Sequence, residues 1–213
     1  MKFKKVLIGG IVSSATVFSL VSPSFAATAN GATSTGHIQL ITGAPTTSVD
    51  PIYPNTPDGS TGNIGPLTID NVSPLEFGSY EVSGQNITAT ATTTNPNAQV
   101  TDARGTGAGW TLQVSSSPFT DGSKTLNGAI LNLPTGTAQT VPGNVSAAPQ
   151  MNAVSLDTSA GTAINLITAQ ANQGMGTWVD LMDNSQIKLT VPSGNLAGDY
   201  TATLTWTLVD APQ

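Results

Sequence analysis

Tyr200-Thr201-Ala202-Thr203-Leu204-Thr205-Trp206-Thr207-Leu208-Val209, near the C-terminus, alternates strictly up to Leu208. Tyr200, Ala202, Leu204, Trp206 and Leu208 fall on one side of an extended chain, and Thr201, Thr203, Thr205 and Thr207 fall on the other. This is the pattern of a half-buried β-strand. Earlier in the chain Trp110-Thr111-Leu112 repeats Trp206-Thr207-Leu208, and Trp110, Leu112 and Val114 alternate with Thr111, Gln113 and Ser115. Both tryptophans are therefore expected on an apolar face, with Trp110, Leu112, Trp206 and Leu208 serving mainly as core.

Short runs rich in β-favouring residues recur on either side of these two. They are His37 to Thr42, Leu67 to Val72, Leu75 to Val82, Asn86 to Thr93, Gln99 to Asp102, Gly109 to Ser116, Leu126 to Leu133, Gln139 to Ser146, Asn152 to Leu156, Gly176 to Leu181 and Gln186 to Val191. Thr162 to Asn172 fits either period and is read as a strand. Asp121-Gly122, Asn127-Gly128 and Ser193-Gly194-Asn195 supply turn chemistry between runs. Pro45, Pro51, Pro54, Pro57 and Pro66 make residues 45–66 a long Pro/Gly-rich loop, because proline can neither donate to a central ladder nor continue a helix. The expected fold is all-β, an antiparallel Greek-key-like β-sandwich with that loop near the N-terminus. The final strand is expected to close the core.

Met1-Lys2-Phe3-Lys4-Lys5, an apolar stretch from Val6 to Val21 and Ser24-Phe25-Ala26 read as an export signal over residues 1–26. The sixteen-residue apolar stretch is shorter than the roughly 20 residues a membrane-spanning helix needs, so no span is expected in the mature chain. Residues 27–36 form an expected flexible leader, and 37–213 a single β domain. Removing the first three lysines leaves Arg104, Lys124 and Lys188 against twelve acids, a formal balance of −9, which argues against a nucleic-acid partner. The absence of cysteine excludes disulfides, thiolate metal sites and a cysteine nucleophile. The chain relies on Thr, Ser, Asn, Gln and Gly for its polar surface.

Catalytic groups are sparse. His37, the only histidine, lies at the start of the domain and has no visible triad. Glu76, Glu81, Asp102 and Asp180 show no spacing that pairs them for glycoside hydrolysis, and Asp50, Asp58, Asp180 and Asp183 lack a calcium-loop pattern. No catalytic residue, metal or cofactor is expected. Arg104-Gly105-Thr106-Gly107-Ala108-Gly109 precedes a strand rather than a helix, unlike a phosphate loop. Arg104, the sole arginine, is either a structural partner of Asp102 or, with Asp102, a possible ligand contact. Trp178, flanked by polar residues, is either core or a partly exposed ring suited to stacking on a sugar.

The two tripeptides resemble those that name the WxL domain family of surface proteins of low-GC Gram-positive bacteria. Asp102-Ala103-Arg104-Gly105-Thr106-Gly107-Ala108-Gly109-Trp110-Thr111-Leu112, Leu75-Glu76-Phe77-Gly78 and the run from Gly198 to Pro212 are similar to further family segments, with Ala103 standing where asparagine is common. The resemblance implies a secreted protein held noncovalently at the cell wall surface, with peptidoglycan or another wall glycan as target. It also implies partner surface proteins in complexes for adhesion or polysaccharide capture, so that an interaction subunit docking mainly on a partner protein is the alternative. A chain with this negative balance meets an anionic wall without long-range attraction, which leaves short-range contacts to hold it.

Overall fold

A computed structural model describes residues 32–212. The expected signal segment and the first part of the leader lie outside them. The compact unit begins at Gln39. Residues 32–42 form no strand and are exposed, contrary to the strand expected over His37 to Thr42. Past its end, the Gly43 amide donates to Ala103 O and Thr42 Oγ1 to Arg104 O, and no sheet edge receives the rest.

Fourteen strands follow: β1 (Leu67–Val72), β2 (Ile87–Thr90), β3 (Asn97–Asp102), β4 (Trp110–Ser116), β5 (Thr120–Asp121), β6 (Lys124–Thr125), β7 (Ile130–Leu133), β8 (Thr137–Thr140), β9 (Gln150–Met151), β10 (Val154–Asp157), β11 (Ile164–Ala169), β12 (Gly176–Leu181), β13 (Lys188–Val191) and β14 (Leu204–Val209). They build three four-stranded antiparallel sheets, in the orders β1-β3-β12-β8, β10-β7-β13-β2 and β14-β4-β11-β9, plus the β5-β6 hairpin. Neighbours are mostly distant in sequence, as a Greek-key-like layout requires. The inward faces share one core, to which the sheets contribute Val100, then Leu131, Leu156 and Leu189, then Trp110, Leu112 and Ile167. The all-β antiparallel expectation holds, and Thr162 to Asn172 contains strand β11.

The Pro-rich segment is coil, and side chains clip it to the outer face of the first sheet. The Ile52 amide donates to Gln99 Oε1 (2.8 Å), Gln99 Nε2 donates to Asp50 O (3.1 Å), and Asn97 Nδ2 donates to Tyr53 O (2.8 Å). With core on one side and this segment on the other, all six residues of β3 are buried, although three of them are Asn, Gln and Asp. The polar residues are tolerated because they are paired.

Three expected strands are corrected. Leu75 to Val82 is coil: Pro74 ends β1's direction, Gly78 at φ 71° breaks the pleat, and one backbone bond, from the Thr92 amide to Glu76 O, ties the run to its neighbour. Gln139 to Ser146 is strand only to Thr140, because the turn at Pro142 intervenes. The last strand pairs from Leu204 rather than Tyr200. Opposite its first residues stands Pro118, which has no amide to give, so Thr201 keeps a single bridge to Thr120 while the Thr203 amide donates to Ser117 Oγ.

Candidate functional site

The repeated tripeptides lie on neighbouring strands. In the antiparallel pairing of β4 with β14, Leu208 opposes Leu112, so Trp110 and Trp206 lie on the same face but beyond opposite ends of that leucine pair. Their surroundings therefore differ. Trp110 is fully buried with its Nε1 donating to Gly174 O at 3.0 Å, and a Cβ on Gly174 would come within 2.9 Å of that nitrogen. Leu112 is also fully buried. Trp206 and Leu208 are half-buried against the core.

Trp206 stands in the wall of a groove of about 1170 Å³. Its sides are the coil from Pro74 to Val82 and the segment from Pro192 to Leu204, and its floor reaches the core residues Ala89, Leu126, Leu131 and Leu189. Phe77, Tyr80, Phe119 and Tyr200 add rings to the lining, and Tyr80 is 47 % exposed. The ionisable side chains there are carboxylates and tyrosines: Glu76, Glu81 and Asp199 meet no lysine, arginine or histidine in the lining. β14 is the terminal strand of its sheet, so its outer edge is hydrogen-bonded to no other strand among the described residues. Tyr80 and Phe119, which sequence reading did not single out, sit among Gly, Ser and Pro in runs without regular alternation. An aromatic in such company was the available signal.

The opposite face of the same sheet carries no charge. Thr203, Thr205 and Thr207 are exposed. Thr207 pairs with Gln113 and Gln113 with Asn165, whose side chains bond at 2.8 Å, and Thr205 pairs with Ser115. β14 thus separates an uncharged polar face from an aromatic groove.

The candidate contact residues resolve differently. Arg104 Nε and Nη2 hold both carboxylate oxygens of Asp102 at 2.9 and 2.8 Å, Nη2 also donates to Gly109 O at 2.9 Å, and Nη1 pairs with Asp210. The guanidinium fastens the end of β3, the glycine-rich turn and the C-terminal segment together, and its donors face protein acceptors rather than an open site. Arg104→Lys, which keeps the charge but loses the fork, is expected to lower unfolding stability by about 2 kcal/mol in a urea titration; an unchanged midpoint would show the clamp to be idle. Trp178, 5 % exposed with Nε1 donating to Met175 O at 3.0 Å, is buried rather than offered to a sugar. Asp180 is fully buried, two residues on in the same strand, and does not line this groove. Among the described residues no three His, Cys, Asp or Glu side chains gather to hold a metal, and no helix is long and apolar enough to cross a membrane.

A family model described as WxL domain, surface cell wall-binding, matches residues 27–212. No curated protein and no solved structure matches the chain. The matched span takes in both Trp-Thr-Leu runs, the Arg104 clamp and the groove. The chain belongs to the WxL family of surface domains that bind the cell wall.

Proposed function

We propose that this protein is exported, loses residues 1–26, and attaches noncovalently to the wall by short-range contact with peptidoglycan. The observation that carries the reading is the uncharged outer face of the sheet built on the two motifs, where Thr203, Thr205, Thr207, Ser115, Gln113 and Asn165 offer hydroxyls and amides at strand spacing. Neutral donors and acceptors on a flat surface suit a polymer rich in hydroxyl and amide groups. They also avoid the repulsion that the processed chain, with three basic residues against twelve acidic ones and a formal balance of −9, would meet through ionic contacts with an anionic wall. The chain acts as a binding module: its family binds the cell wall, Asp102 is held by Arg104, and Asp180 is buried.

Purified protein is expected to sediment with purified peptidoglycan and to stay bound in about 1 M salt, where the Debye length is about 3 Å. Thr205→Ala with Thr207→Ala should lower that binding about tenfold, equivalent to roughly 1.4 kcal/mol, with the fold intact. Release by moderate salt or by chelator alone would move the mechanism to ionic bridging. A second reading, an interaction subunit docking on another surface protein, is favoured by the aromatic groove. Binding to walls only after a partner protein is added would establish it.

A further inference from the structure

Two features of the chain complement each other. The groove lies beside β14, whose Leu204 and Trp206 line it. It is flanked by the unpaired edge of a terminal strand, its floor is core, and along one side lies a coil that makes one backbone bond to its neighbour. An exposed strand edge above apolar surface is a template for another strand. The chain also carries a strand without a sheet. His37-Ile38-Gln39-Leu40-Ile41-Thr42 has β-favouring composition, yet Ile38, Leu40 and Ile41 are 82, 86 and 81 % exposed and the run forms no strand, tied at its end by the bond from Thr42 Oγ1 to Arg104 O. Three large aliphatic side chains in water within four residues form a concentrated apolar patch on an otherwise polar chain.

We infer that residues 37–42 of one copy insert as an added strand into the groove of a second copy, pairing with the free edge of β14. Alternation places Ile38 and Leu40 on one face of the added strand, towards Trp206, Tyr200 and the core floor, and places Gln39 and Ile41 on the other face. The segment contains no carboxylate, so it enters past Glu76, Glu81 and Asp199 without the repulsion that most of this acidic chain would meet. Donor segment and groove are different surfaces, so the contact is head-to-tail and generates chains of copies rather than a closed pair. Copies linked in this way bind the wall through several threonine faces at once, which raises retention without any new wall contact.

The test uses the chain from Ala27 onward. Its mass in solution, followed by light scattering, is expected to rise with concentration past the dimer. Ile38→Asp with Leu40→Asp, at positions that support no packing, should stay folded and shift half-association at least tenfold upward in concentration. A synthetic peptide of residues 36–43 added to that variant should bind saturably and change tryptophan emission, because Trp110 and Trp178 are buried and Trp206 lines the groove. The same peptide carrying the two aspartates should not, and Trp206→Phe should abolish the signal. A chain that stays monomeric at every concentration overturns the inference. If its variant nonetheless binds the peptide at Trp206, the segment occupies its own groove; if not, the groove serves some other molecule. Self-association that survives the double aspartate change also overturns it.

Discussion

Trp110→Ala is expected to cost about 3–5 kcal/mol of unfolding free energy, the range for emptying a fully buried large aromatic site. That is a large share of the roughly 5–15 kcal/mol that holds a typical domain together. Two contributions add. The cavity opens in the core beside Leu112 and Ala169, where β4 and β11 are fixed by their ladder and cannot close over it. Gly174 O also loses its indole donor in a buried place, and an orphaned buried carbonyl carries its own desolvation cost. Trp206→Ala removes the same side chain from the second copy of the same tripeptide, but that ring is half in solvent and packs only against the margin of the core. Its cost should be about 1–2 kcal/mol, in keeping with the smaller apolar area it withdraws from water. Urea unfolding followed by circular dichroism decides the matter. Equal losses from the two variants would mean that the motifs are equivalent core elements and that the groove wall is not open as described.

That difference between identical tripeptides shows what sequence could and could not supply. Strict alternation fixed which face each tryptophan occupies, because side-chain direction in a strand depends only on parity. Burial depends on what stands opposite, and antiparallel register sends Trp110 and Trp206 to opposite ends of the Leu112–Leu208 pair. Nothing local to either tripeptide encodes this. Trp178 was harder still. Its polar neighbours suggest a wet ring, but strand β12 is central in its sheet, and register sets Trp178 on the inward face between the core residue Val100 and Thr140, on two strands distant from it in sequence. Leu75 to Val82 has the composition of a strand without a partner edge to complete it, and one glycine at positive φ is enough to let it leave the ladder. Arg104 was legible as an ion-pair candidate from its place two residues after Asp102. The third anchor, Asp210, lies over a hundred residues away in sequence and is visible only once β14 is laid beside β4.

The second large effect is a pH dependence that comes from one side chain. The protein buries three aspartates in its first sheet; Asp102 is held by Arg104, and the other two, Asp70 and Asp180, are treated differently. Asp70 accepts hydrogen bonds from Thr68 Oγ1, Gln99 Nε2 and Thr101 Oγ1, at 2.7, 3.1 and 2.6 Å. Asp180 points to the inward face, opposite Ala98 and Ala138, and neither of its carboxyl oxygens has a hydrogen-bond partner of good geometry. Burial pushes its pKa up to about 7, with the nearby Gly136 amide pulling only weakly the other way. In the unfolded chain the same group titrates near 3.8. Between these values the folded state holds a proton that the unfolded state has released, so stability falls as pH rises through that window and levels off above pH 7. Three pH units of difference correspond to roughly 4 kcal/mol at most. Asp180→Asn keeps the shape and cannot ionise. Its own buried amide is poorly satisfied too, so at pH 5 it should match or fall slightly below the parent. At pH 8 it should exceed the parent by about 2 kcal/mol or more, and the gap should open progressively between. Urea midpoints of both proteins across that range give the comparison, and the difference between them cancels the other titrating groups they share. Parallel profiles would mean that Asp180 is solvated or partnered in the folded protein. A widening gap would mean instead that this domain is held most firmly in mildly acidic surroundings, at the expense of stability where the carboxylate is forced to ionise inside an apolar sheet face.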